Sequence, residues 1–182
     1  NRQIASSQEP IAILGHSNGG RFAAAFTAKY TEKVSHLILI DSAGIIRKDF
    51  KAILKKSLFG AAAKLGKKIT SSNPIRNLFY KLVGEHDYNR ADPVLKETML
   101  NLISQDLEPT FSKINVPTLL IWGENDTITP LSAGKKIHRL ISNSKFEIVK
   151  NARHSPHFTH SNEVFTVITR YFRGSTPKDE HI

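Results

Sequence analysis

The chain has 182 residues, enough for a domain with a substantial core; 40% of them are hydrophobic and 23% charged. No apolar run approaches the roughly 20 residues that span a bilayer, so stable membrane insertion is not expected, and the lack of cysteine excludes disulfides, thiolate metal sites and a cysteine nucleophile together. The net charge is +10, from 26 Lys and Arg against 16 Asp and Glu, which by itself fits a solvated basic surface.

In chain order, residues 1–9 are polar and read as the end of a helix. Residues 10–14 (Pro-Ile-Ala-Ile-Leu) form a short apolar run closed by Gly15, a pattern that predicts a buried parallel strand. From Gly19 to Tyr30 the pattern is helical, with Phe22, Ala23, Phe26 and Ala28 expected to face a sheet. Residues 36–40 predict a second buried strand ending at Asp41. Residues 44–115 change character: helical periodicity, with Ile53, Leu54, Leu58, Leu78, Phe79 and Leu82 at apolar positions, is broken at Gly60, Gly66, residues 71–74 and Gly84. This segment reads as short helices inserted between two strands, and Asp92-Pro93 predicts the start of one running to about Ser104. It holds 13 Lys or Arg against 7 Asp or Glu. Its lysines are spaced like outer helix faces and do not interleave with aromatics, so a nucleic-acid partner is not expected. Residues 116–122 predict a third strand, 131–140 a helix, 145–149 a fourth strand and 163–171 a last helix, with a polar tail from Gly174.

Strands alternating with helices predict parallel βαβ units and a three-layer α/β/α fold with a helical insert. The expected divisions are 1–43 and 116–173 for the core, 44–115 for the insert and 174–182 for the tail.

Chemistry enters at Gly15-His16-Ser17-Asn18-Gly19. Gly-x-Ser-x-Gly alone is a weak pattern, but here it follows a strand directly and opens a helix directly, as a nucleophile elbow requires. Glycines on either side are expected to relieve crowding around a strained serine. The helix N-terminus offers N–H groups and partial positive charge to a developing oxyanion. A serine hydroxyl needs a base to take its proton, and that base needs an acid to orient it. Asp126 lies just past the third strand and His154 just past the fourth. Carboxyl ends of parallel strands share one rim, so Ser17, Asp126 and His154 can meet. No His and carboxylate spacing resembles a metal site, and no metal or cofactor is expected.

In these motifs the chain resembles the α/β-hydrolase fold superfamily: Gly-His-Ser-Asn-Gly-Gly at the elbow, Leu-Leu-Ile-Trp-Gly-Glu-Asn-Asp at the acid turn and Asn-Ala-Arg-His at the histidine loop. The resemblance implies Ser17 as nucleophile, Asp126 as acid, His154 as general base, the Asn18 backbone N–H as one oxyanion donor, and the insert as a cap. Arg153 stands where many relatives have glycine. Asp41 is the rival acid, since some members draw theirs from that position; Asp126 is preferred. Glu124 is expected to bond locally, His157 and His160 to be loop or helix-start residues, and His16 to face away and pack under the elbow.

The resemblance implies hydrolysis of a small-molecule carboxylic ester through an acyl-enzyme, with carbon–carbon, lactone and thioester bonds as alternatives. It also implies strands, and a loop with a second oxyanion donor, ahead of the elbow. Residues 10–14 are therefore expected to form an unpaired apolar edge open to self-association. An inactive fragment needing a missing N-terminal half or a partner chain is the other alternative. A cytoplasmic location is the expectation that goes with the cysteine-free composition.

Overall fold

The computed structural model describes residues 9–46 and 92–174. The insert helices expected over 47–91, the helix end at residues 1–8 and the tail beyond 174 lie outside the described residues. The chain divides into two compact units, Asn1–Gly44 with Leu107–Ile182, and Ile45–Asp106.

The first unit is built on four parallel strands in the order β1-β2-β3-β4: β1 Ile11–His16, β2 Val34–Ile40, β3 Thr118–Gly123 and β4 Ser144–Val149. Register pairs Leu14 with Ile38, Ile40 with Ile121, and Ile121 with Glu147. β2 and β3 are central and almost wholly buried, which is why both read as continuous apolar runs. Among the described residues β1 and β4 form the edges, and Ile11, Leu14 and Ile148 are exposed there. The burial expected of residues 10–14 is not found: Pro10, Ile11, Ala12 and Leu14 are exposed and Ile13 is half-buried.

Two of the connections turn through a helix to the parallel neighbour, and right-handed crossovers keep such helices on one face. Helix α1 (Asn18–Lys29) joins β1 to β2, and α4 (Leu131–Leu140) joins β3 to β4. α4 lies so close to the sheet that a Cβ added at Gly134 would sit 2.5 Å from the Trp122 ring. On the other face α6 (Ser161–Arg173) sets Val164, Val167 and Tyr171 against Ile38, Ile40, Leu119, Ile121, Val149 and Ala152. The result is three layers, α/β/α. The described part of the unit also holds two short helices, α3 (Glu108–Phe111) and α5 (Pro156–Thr159), and a single 3-10 turn at Thr31–Lys33.

Of the four residues of α1 expected to face the sheet, Ala23 is buried and Phe22 and Phe26 are not. Gly20, Ala23, Ala24 and Thr27 are buried, at helical spacing, whereas Phe22 and Phe26 are exposed. Small side chains let the helix lie close to the strands, and that stripe is about 130 degrees away from the one the two phenylalanines mark.

The second unit, as far as it is described, holds α2 (Pro93–Ser104). Asp92 caps it by accepting the Val94 N–H at 2.7 Å, and Pro93 fills the first turn, as the sequence predicts. Ile46 and Ile103 are buried. No helix among the described residues is long and apolar enough to cross a membrane.

Candidate active site

Ser17 is the single residue between β1 and α1 and sits at φ 51°, ψ −121°, a conformation that costs a non-glycine residue on the order of 1–3 kcal/mol. The surrounding main chain holds it there. Its N–H donates to the Ile40 carbonyl at 3.1 Å, and its own carbonyl accepts from Gly20 N–H at 3.1 Å and Ala43 N–H at 3.0 Å. A Cβ added at Gly15 would lie 2.7 Å from the Gly19 carbonyl oxygen and the Gly20 Cα, so only glycine fits. Gly19 has open space, and the second crowded position is Gly20, where a Cβ would meet the Ser42 side chain. Of the expected pair, Gly15 and Gly19, only Gly15 is sterically required; Gly20 takes the place expected of Gly19. Asn18 opens α1, so its N–H is among the four that helical geometry leaves unpaired.

Asp126 follows β3 in a turn that converges four donors on one carboxylate. Oδ1 accepts the Ile128 N–H at 2.7 Å and the Thr129 N–H at 3.1 Å; Oδ2 accepts the Thr129 hydroxyl at 2.6 Å and lies 2.8 Å from His154 Nδ1. Burial opposes the charge of this carboxylate, but the hydrogen bonds from His154 and Thr129 outweigh it and hold the carboxyl below its ordinary range. The Asp126 side chain is fully buried, and His154 is partly exposed above it.

His154 lies in the loop after β4. Its Nε2 is 2.9 Å from Ser17 Oγ, while Nδ1 faces Asp126. With Nδ1–H donated to the carboxylate, Nε2 is free to accept the serine proton. The loop is fastened to the acid turn: Asn125 N–H donates to the Ala152 carbonyl at 2.8 Å, and Asn151 N–H to Glu124 Oε2 at 3.0 Å. A Cβ added at Gly123 would lie 2.3 Å from the Arg153 carbonyl oxygen, so the two loops approach as closely as main chains can. Arg153 itself is exposed.

Ser17, Asp126 and His154, singled out far apart in the sequence, are therefore hydrogen-bonded in series. The rivals fall elsewhere. Asp41, buried at φ 42°, accepts the Gly123 N–H at 2.8 Å, and its carbonyl lies 3.0 Å from the Thr129 hydroxyl oxygen. Burial pushes its carboxyl up to about 8, aided by the neighbouring Asp126 charge, so it is neutral where Asp126 is ionised. Glu124 bonds across to the histidine loop rather than within its own turn. His160 precedes α6 and lies beside the Thr159 hydroxyl.

One neighbour of the site, Thr129, was not singled out by sequence, and another, His16, was placed elsewhere by it. Thr129 touches Asp126, Asp41 and, at 3.3 Å, His154 Nδ1. The turn Asp-Thr-Ile-Thr, with a hydroxyl three residues past the acid, is the only signal that could have marked it. His16 does not pack away under the elbow. Its ring lies 5.0 Å from that of His154 and 4.3 Å from that of His157. Donor atoms of His16, Asp41 and His154 come within 4.8 Å of one another, but both ring nitrogens of His154 already face Ser17 and Asp126, so this cluster is part of the same site.

A strained serine between strand and helix, at the carboxyl rim of a parallel sheet covered by helices on both faces, is the architecture of the α/β hydrolases. The family model described as serine aminopeptidase, S33, matches residues 2–160, and the chain belongs to this family of α/β-hydrolase enzymes. It is 28% identical over 151 residues to an uncharacterized hydrolase, YugF, of Bacillus subtilis (strain 168), covering 72% of this chain and 54% of that one. It is 28% identical over 183 residues to the pimeloyl-[acyl-carrier protein] methyl ester esterase of Neisseria meningitidis serogroup B, covering 90% of this chain and 69% of that one. Among solved structures, MGS-MChE2, an α/β hydrolase enzyme from a lagoon-sediment metagenome of Mar Chica, Morocco, superposes with a TM-score of 0.63 at 20% identity, over 92% of this chain and 63% of that one. The chain spans about half the length of the Bacillus relative.

Proposed function

We propose that this chain carries the triad of a serine hydrolase that cleaves small carboxylic esters. The observation that carries the reading is the series Ser17 Oγ to His154 Nε2 at 2.9 Å and His154 Nδ1 to Asp126 Oδ2 at 2.8 Å. Ser17 Oγ attacks the acyl carbon while His154 takes its proton; the alcohol leaves with that proton, and water, deprotonated by His154, releases the acid and restores Ser17. Asp126 holds the Nδ1–H tautomer and stabilises the imidazolium. The Asn18 N–H, at the positive end of α1, is the donor this chain offers to the oxyanion. An ester as substrate is supported by the name of the Neisseria relative, a methyl ester esterase.

The inserted unit, Ile45–Asp106, leaves and rejoins the core between β2 and β3, where the Leu107 N–H donates to the Gly44 carbonyl at 2.8 Å and closes its neck. We assign this unit the selection of the acyl and alcohol groups, as a cap.

Hydrolysis of short p-nitrophenyl esters tests the reading. Ser17→Ala should lower kcat by a factor on the order of 10³ or more without loss of folded structure. Hydrolysis unchanged in Ser17→Ala overturns it.

A further inference from the structure

The side chain before the nucleophile supports an inference that rests on the triad reading above. We propose that His16 is a positioning residue: its Nε2–H holds the main-chain carbonyl of His154 and so sets the separation between the base and Ser17.

His16 Nε2 lies 2.7 Å from the His154 carbonyl oxygen. A carbonyl only accepts, so Nε2 carries the proton and the neutral ring is the Nε2–H tautomer. The consequence is a closed ring of contacts. His16 and Ser17 are adjacent at the end of β1; the His154 side chain reaches Ser17, and the His154 main chain is held by His16. Other hydrogen bonds to this loop, at Asn151 and Ala152, run to the acid turn after β3. Among the described residues the His16 bond is the one that ties the loop to the nucleophile strand. Without it, His154 keeps its tie to Asp126 and loses the tie that fixes its distance to Ser17.

The surroundings fit a neutral ring. The groups facing His16 are the rings of His154 and His157, the carboxyl of Asp41 within 4.8 Å and, as a further charge, the Asp126 carboxylate. Burial and the two histidines hold His16 below the ordinary histidine range, although the carbonyl bond and Asp126 pull the other way. A neutral donor leaves the positive charge to form on His154 alone.

Two measurements test this. Long-range ¹H–¹⁵N spectra of the folded chain at pH 7 should show His16 as the Nε2–H tautomer; an Nδ1–H tautomer or an imidazolium overturns the proposal, whatever the enzyme hydrolyses. In ester hydrolysis, His16→Ala should lower kcat by about 10–100-fold with KM within about twofold, because a small misplacement of the reacting groups acts on the rate and not on binding. His16→Gln, whose amide N–H reaches where Nε2 sits, should recover most of that loss. An alanine variant with unchanged kcat, or a glutamine variant that falls as far as alanine, overturns the proposal. Should alanine fail to fold, the glutamine variant and the tautomer decide. A wild-type chain with the expected tautomer but no reaction at Ser17 would instead count against the triad reading.

Discussion

Asp41 and Asp126 lie in one polar cluster with Thr129 and carry opposite charge states because their partners differ. Asp126 receives four donors; Asp41 accepts the Gly123 N–H on one oxygen and otherwise faces burial and the Asp126 carboxylate. The difference has a consequence for stability. Asp41 ionises near 8 in the folded protein and near its ordinary 3.8 when unfolded. Between those values the unfolded state binds fewer protons, so this residue makes the protein less stable as pH rises from about 4 to about 8. Asp126, held below its ordinary range, adds stability that is present above 3.8 and lost as pH falls further, so the two windows do not overlap. Asp41→Asn keeps an acceptor for Gly123 and removes the ionisation. Urea midpoints at pH 5 and pH 8 should therefore differ less in the variant than in the wild type; an equal or larger drop would show that Asp41 is already ionised at pH 5. At this scale the sequence was legible where a motif concentrates the chemistry. Ser17, Asp126 and His154 each sit in a short pattern at a strand end. Thr129 and His16 were not legible, because their partners are set by the fold: His16 finds its acceptor 138 positions away.

Among the elements, α1 separates what periodicity reveals from what packing decides. Its phenylalanines suggested one buried stripe, and the structure buries another of Gly20, Ala23, Ala24 and Thr27. Apolar residues mark a helix face only when the facing surface has room for them; here the buried stripe is made of small side chains, with Arg21 buried beside it. Ala24, fully buried, should not tolerate enlargement: Ala24→Leu is expected to cost about 1–3 kcal/mol or more. Phe22→Ala, at a position 60% exposed, should change stability by about 0.5 kcal/mol or less. Denaturant midpoints of the two variants check the assignment, and the reverse order of effects would restore the face read from sequence. The helix Leu131–Leu140 and the Asp92-Pro93 helix start were legible to the residue, since apolar spacing in one and a cap in the other are local signals. The short α5 was not, because four residues around Pro156 carry no periodicity.

For the whole molecule, the parallel order β1-β2-β3-β4 gathers chemistry from three strand ends onto one rim: the serine after β1, the acid after β3 and the histidine after β4. β2 contributes Asp41, which ties the rim together through Gly123 and Thr129. The family assignment rests on this frame and on the match over residues 2–160; the reaction rests on whether the frame makes one hydroxyl nucleophilic. A fluorophosphonate probe measures that directly, since its phosphorus is attacked only by an activated serine and the adduct is stable enough to locate by mass. A single adduct on Ser17 is expected, formed far more slowly in His154→Ala. Folded protein that stays unmodified, or that is modified at another residue, would contradict it.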